Sequence, residues 1–284
     1  MMLYSEKLPL FAAAHPYQTA AVGGGAFRYI LCGKEGAPVL VFLNGGMNTL
    51  EMWMDYVDDL SQDYRVLLFD YPQQLHTNQE LVAGMHAFFQ SLHISRPIFV
   101  GASGGGMVAQ LYVQKYPGET GGLVLISTGG LDAATLRSLR RKYRLAPLML
   151  WYMKRCNYEK LKPRLIRAGL GHLRNETSDE AAYARDMFET IFRDYPQAKD
   201  VHISGLLADI IHQTPVTSED FAALEGRILL VLPEQDFFSE AMQQDLIRLM
   251  QDPQITYVSG GHLSTVLKTD DYVRTIDAFL TALP

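Results

Sequence analysis

Three side-chain types that together turn a weak nucleophile into a reactive one occur in this 284-residue chain in the order Ser103, Asp236, His262. A serine hydroxyl attacks a carbonyl carbon slowly until an adjacent imidazole removes its proton, and that imidazole must be held in one tautomer and paired with a negative charge once protonated. The chemistry such a set performs is acyl transfer through a covalent serine ester. Ser103 lies in Gly101-Ala102-Ser103-Gly104-Gly105, where the apolar run 97–100 hands over to a helical pattern beginning near Met107. Glycines two positions before and two after the serine let the chain turn sharply and keep side chains off the turn, so the hydroxyl projects beyond the strand end.

The elements that must position these groups are legible as alternating strand-like and helical stretches, the mark of a parallel sheet covered by helices on both faces. Strands are expected over residues 27–32, 39–43, 65–69, 97–100, 122–126, 228–232 and 255–258. Most are continuous apolar runs, as strands buried on both sides require. Helices are expected over 49–60, 78–92, 105–116, 239–250 and 265–283, the third stopping at Tyr116-Pro117-Gly118. Asp236, in Pro233-Glu234-Gln235-Asp236, and His262, in Ser259-Gly260-Gly261-His262, each follow an expected strand as Ser103 does. All three therefore converge on one rim of the sheet. Between residues 131 and 225 no buried strand is expected and the pattern turns helical and amphipathic, which reads as a cap over the strand ends, where open α/β sheets place their ligands. The domains are then a core of residues 1–130 and 226–284 and a cap of residues 131–225.

The conjunction of Gly-Ala-Ser-Gly-Gly after one strand, an Asp beyond the penultimate strand and Gly-Gly-His beyond the last resembles the α/β-hydrolase superfamily from about Phe27 to the C-terminus. The resemblance implies Ser103 as nucleophile, His262 as general acid and base, and Asp236 as its orienting partner. It implies a mostly parallel sheet with helices on both faces and a helical cap insertion. It also implies an oxyanion hole from the backbone N–H of Gly104 and, from the loop Asn44-Gly45-Gly46-Met47, that of Gly46, with Met47 the neighbouring candidate. Relatives usually carry His where Asn44 stands and a glycine-rich turn where this chain reads Asp70-Tyr71-Pro72-Gln73-Gln74. Asp132 and Glu234 are the alternative carboxylates to Asp236. Met47 and Trp53 are candidate substrate contacts, Trp53 equally readable as helix-to-sheet packing.

The expected activity is a serine hydrolase acting on a carboxylic ester, thioester or related acyl bond of a small-molecule substrate. An acyltransferase, a C–C bond hydrolase or a non-catalytic ligand-binding protein of the same fold are the alternatives. No metal or organic cofactor is expected. His15, His76, His86, His93, His172, His202 and His212 show no ligand spacing and read as structural or surface residues. Gly23-Gly24-Gly25 precedes a strand and lacks the Lys-Ser/Thr ending of a phosphate loop. A formal net charge of -6 argues against a nucleic-acid partner. Two distant cysteines, Cys32 and Cys156, suit a reducing compartment, and with no apolar stretch of bilayer length the expected address is cytoplasmic, without stable membrane insertion. Arg137, Arg140, Arg141, Lys142 and Arg144 precede the apolar run 145–153. They read as a cap helix with one solvated and one buried face, with lipid contact as the sharper alternative. Oligomeric state is open.

Overall fold

The computed structural model describes residues 2–173 and 176–283. Its framework is one eight-stranded sheet: β1 (Gln18–Val22), β2 (Gly25–Gly33), β3 (Val39–Leu43), β4 (Arg65–Phe69), β5 (Ile98–Ala102), β6 (Gly122–Ile126), β7 (Ile228–Gln235) and β8 (Gln254–Gly261), in the order β1-β2-β4-β3-β5-β6-β7-β8. The β1–β2 and β2–β4 pairs are antiparallel, and every pair from β4 to β8 is parallel. Successive strand residues feed opposite faces: Val41, Leu43, Leu67, Phe69, Leu123 and Leu125 enter one core, Leu40, Phe42, Val66, Leu68, Val124 and Ile126 the other. Both faces are dry, which is why these strands read as unbroken apolar runs.

The helices are α1 (Tyr4–Ala14), α2 (Met54–Leu60), α3 (Asn78–Ser91), α4 (Gly104–Lys115), α5 (Ala133–Lys142), α6 (Ala146–Met153), α7 (Tyr158–Leu170), α8 (Ser178–Arg193), α9 (Gln197–Asp209), α10 (Glu240–Leu249), α11 (Ser264–Leu267) and α12 (Thr269–Thr281). Helix α3 starts at a capping box of Thr77 and Glu80. All seven expected strands and the expected core helices are present, with boundary shifts: β7 and β8 run about three residues further toward the site. Pro233 fits β7 because it lies beyond the last β6 pair and so withholds no hydrogen bond from that neighbour.

Four features depart from expectation. The stretch 49–60 opens as a three-ten turn, Leu50–Trp53, before α2, and 265–283 is broken into α11 and α12 at Lys268. Strand β1 forms a hairpin with β2 through Gly23 and Gly24, both at positive φ. Its residues are mostly exposed, so it lacks the apolar run that marks a buried strand. Helix α1 contains Pro9, ordinarily a breaker. Tertiary contacts override it: Tyr4 and Phe11 are buried, Ser5 donates from its backbone N–H and Oγ to Asp186, and Lys7 pairs with Asp55 at 2.8 Å.

Between β6 and β7 the described residues form helices α5 to α9 and three-ten turns, and no strand. This insertion is tied to the sheet's rim by polar anchors. Asn78 donates to Leu206 O and Asp209, His202 Nε2 lies 2.7 Å from Leu75 O, and Lys199 pairs with Asp70 at 3.1 Å. Asp70 also pairs with Arg28 and accepts from the Leu50 N–H, so the segment lacking the usual glycine turn is instead held by charge.

Candidate active site

Ser103 is held in a conformation that its type rarely adopts, with φ 54° and ψ -121°. That backbone costs energy and persists only where surroundings over-determine it. Here the Ser103 N–H donates to Ile126 O at 3.0 Å, and the Ser103 carbonyl accepts from Thr128 Oγ1 at 2.6 Å and from Gly106 N at 3.1 Å. The glycines follow from crowding: a Cβ on Gly105 would sit 2.1 Å from Leu43 O. The turn is therefore pressed against the end of β3 while Ser103 faces outward.

Asp236 and His262 meet. His262 Nδ1 lies 2.9 Å from Asp236 Oδ1, and the Asp236 side chain is 1% exposed. Asp236 Oδ1 also accepts from the Phe237 N–H at 2.7 Å, and Oδ2 accepts from Ser127 Oγ. Ser127 Oγ is in turn 2.8 Å from His262 Nδ1. With the Ser127 hydrogen on the carboxylate, Nδ1 carries the imidazole proton and Nε2 is left as the basic nitrogen. Among the described residues Ser103 Oγ makes no hydrogen bond, but Ser103 and His262 line one cavity.

The other carboxylates lie elsewhere. Asp132 caps α5, accepting from the Ala134 and Thr135 N–H groups and from Thr135 Oγ1. Partial burial pulls its pKa up, but those hydrogen bonds outweigh it and hold the carboxyl below its ordinary value. Glu234 is exposed at the end of β7.

The loop after β3 is rigid. Asn44 Nδ2 donates to Phe69 O at 2.7 Å, its Oδ1 accepts from Trp53 Nε1 at 3.0 Å, and its carbonyl accepts from the Tyr71 hydroxyl at 2.9 Å. Asn48, at φ 40°, donates from its side-chain Nδ2 to Tyr71 O and accepts at Oδ1 from the Tyr71 N–H. Asn44 thus braces the loop, and Tyr71 stands in for the missing glycine-rich turn. A Cβ on Gly45 would lie 3.2 Å from Ser103 Cβ. Gly46 and Met47 follow on the cavity wall. Trp53 is buried against Phe42 and Tyr56 and also lines the cavity.

Ser103 stands where two cavities of about 240 Å³ each adjoin. One contains His262, with Gly46, Met47, Trp53, Ser127, Phe188 and His172 among its walls. The other is walled mainly by apolar side chains, among them Met107, Leu139, Met149, Leu207 and Ile211, with Ser138, Lys142 and Ser204 as polar members, and is supplied largely by the insertion. Phe237 lines both, its ring centroid 4.2 Å from that of His262. Sequence reasoning did not single out Ser127 or Phe237, and it read His172, which lines this cavity, as structural or surface. Ser127 follows β6 directly, the same carboxyl-end position that marks the other three residues, and that placement was the available signal.

A family model described as the alpha/beta hydrolase family matches residues 40–275. A proline iminopeptidase of Pestalotiopsis fici, PfmaB, is 30% identical over 38% of this chain and 42% of its own length. The human monoacylglycerol lipase ABHD6 is 28% identical over 38% of this chain and 36% of its own. The chain thus spans about two fifths of these curated relatives. Among solved structures, an enol-lactonase from Burkholderia xenovorans LB400 superposes with TM-score 0.75 at 19% identity, covering 93% of this chain and all of that one. A family match over most of the sheet and its strand-to-helix turn, joined to the same architecture in a solved structure, places this chain in the alpha/beta hydrolase family.

Proposed function

We propose that the protein is a serine hydrolase that cleaves a carboxylic ester, thioester or related acyl bond through an acyl-enzyme on Ser103. The observation that carries this reading is the Asp236–His262 pair, whose imidazole lines the cavity that Ser103 also lines. In the first half-reaction Ser103 Oγ attacks the acyl carbon while His262 Nε2 takes its proton. The oxyanion is held by the backbone N–H groups of Gly104 and Gly46. Collapse of the tetrahedral intermediate breaks the bond to the leaving group, which takes the proton from His262. Water then attacks the acyl-enzyme, giving its proton to His262, and the acid leaves as that proton returns to Ser103. Asp236 keeps the imidazole in register and is paired with its positive form.

The two cavities divide the substrate. The leaving group must lie beside the imidazole that protonates it, so it occupies the cavity with His262, Met47 and Trp53. The acyl chain takes the apolar cavity. A cavity of about 150 Å³ accommodates benzene, so one of about 240 Å³ takes an acyl group of roughly ten heavy atoms in proportion. Residues 131–225 serve as a cap over the core of 1–130 and 226–284, since α5, α6 and α9 furnish walls of that cavity. Relatives named as a lipase and a lactonase support an ester substrate.

The test is a panel of p-nitrophenyl esters of graded chain length together with a fluorophosphonate probe. Wild type is expected to be labelled and to prefer medium chains. Ser103→Ala should lose labelling and at least about 10⁴-fold in kcat while its melting curve is unchanged. Undiminished turnover in a folded Ser103→Ala protein would refute the assignment.

A further inference from the structure

Helix α6 is apolar all round, and such a helix is stable only when something covers it. In this structure Ala146 and Met153 are buried and Leu150 half-buried, forming its inward stripe. The remainder faces outward: Leu145 is 62% exposed, Leu148 61% and Trp151 53%, with Met149 and Tyr152 close behind. Helix α5, which carries most of the basic cluster, has the expected solvated face and buries Leu136 and Leu139, whereas α6 has no polar face. Large contiguous apolar exposure marks an interaction surface.

We infer that α6 and the turn before it form a docking surface for an anionic lipid bilayer, lying on the membrane and leaving it unspanned. Charge complementarity selects this occupant. Residues 137–155 carry seven Lys and Arg and no Asp or Glu, in a chain whose net charge is -6. Arg137, Arg140, Arg141, Lys142, Arg144, Lys154 and Arg155 are all exposed around the apolar face. Arg155 stacks over the Trp151 ring at 4.9 Å, keeping a cation beside an aromatic that favours the headgroup level. A basic rim around Leu, Trp and Tyr is the composition that binds an interface by burying apolar side chains and pairing with anionic headgroups. Continuity with the acyl cavity is the second support. Lys142, Tyr143, Ala146 and Met149 line that cavity, so its wall and the exposed face belong to the same segment. Among the described residues no helix is long and apolar enough to cross a membrane, which fits attachment from one side.

Tryptophan fluorescence reads the docking directly, because of the two tryptophans Trp53 is already buried and only Trp151 is exposed. The protein is mixed with phosphatidylcholine vesicles containing either no phosphatidylglycerol or about one third of it, and co-flotation is measured alongside. We expect emission to shift to the blue with the anionic vesicles, binding at least about tenfold tighter than to neutral ones, and release in about 1 M salt, where screening is short-ranged. Leu148→Ser with Trp151→Ser should abolish co-flotation. Arg141→Gln, Arg144→Gln and Arg155→Gln should each weaken it about fivefold. All five positions lie outside the cavity walls, so hydrolysis of a soluble short-chain ester should stay at the wild-type rate. Ser103→Ala should float like wild type, which separates this inference from the proposed chemistry. Absence of anionic-vesicle binding overturns it, as does undiminished binding by folded Leu148→Ser/Trp151→Ser. Concentration-dependent dimerisation lost in that variant, without vesicle binding, would assign the face to a second copy of the chain.

Discussion

Ser127 is the residue whose role geometry revealed most directly. Its hydroxyl touches both Asp236 and His262 Nδ1 and so ties the carboxylate to the ring. Ser127→Ala should lower kcat by about 10- to 100-fold, the range seen when a supporting hydrogen bond to a reactive group is removed, with KM little changed. A matching rise in KM would instead mark a contact to substrate. Trp53 offers a separate test of the oxyanion loop. Replacing it by Phe leaves the buried Asn44 Oδ1 without its 3.0 Å donor. An unpaired buried acceptor costs about 1 to 3 kcal/mol, so Trp53→Phe should lower both the denaturation midpoint and kcat. A variant as stable and active as wild type would show that the loop does not depend on this bond.

At the scale of elements, strand ends supply the polar chemistry and the insertion supplies the shape. Ile211, in the three-ten turn after α9, lines the apolar cavity near Leu139 and Leu207. Ile211→Phe should exclude about two methylenes, and at about 0.8 kcal/mol each that reduces kcat/KM for the longest accepted ester roughly 15-fold while leaving a two-carbon ester unaffected. An unchanged chain-length profile would place the acyl group elsewhere. Helix α9 also buries Asp200, whose carboxyl is held above its ordinary pKa by desolvation, against a smaller opposing contribution from Tyr158. An acid with a raised folded-state pKa destabilises the fold once pH climbs past the unfolded value, so the charge is a burden at neutral pH. Asp200→Asn should therefore raise Tm at pH 7 by about 2 °C or more, with the advantage vanishing in acid. A lowered Tm at pH 7 would contradict this.

For the molecule as a whole, the insertion is joined to the sheet through a charged cluster in which Arg28 pairs with Glu51 at 2.7 Å and with Asp70 at 2.9 Å, and Lys199 reaches Asp70. Burial pulls the Glu51 pKa up, but Arg28, followed by the Thr49 hydroxyl, outweighs it and holds the carboxyl below 4.5. A depressed acid contributes stability that is present above its unfolded value and lost as pH falls through the folded one. Global stability should thus decline below about pH 4.5. In Glu51→Gln that decline should be shallower, measured by urea unfolding across the acid range. Equal slopes would remove Glu51 from the linkage. The exposed apolar face of α6 and part of the wall of the apolar cavity belong to the same insertion.

Much of this was readable from residue order because its causes are local. Parallel strands buried on both faces must be apolar runs, and a serine on a strained strand-to-helix turn must be flanked by glycine, so β3 to β8, Ser103, Asp236 and His262 could be placed from sequence. Strand β1 and helix α1 could not, since one is a half-exposed edge strand and the other holds its Pro9 through contacts with residues such as Asp186. Sequence position already favoured Asp236 over Asp132, and the fold adds what each carboxylate touches: one lies against the imidazole and the other caps α5. What α6 faces was decided by tertiary structure alone. Its apolar sequence is equally suited to a buried helix, and only the packing of α9 against one side of it leaves Leu148 and Trp151 facing outward, because an apolar pattern records a preference for leaving water and not which neighbour provides the shelter.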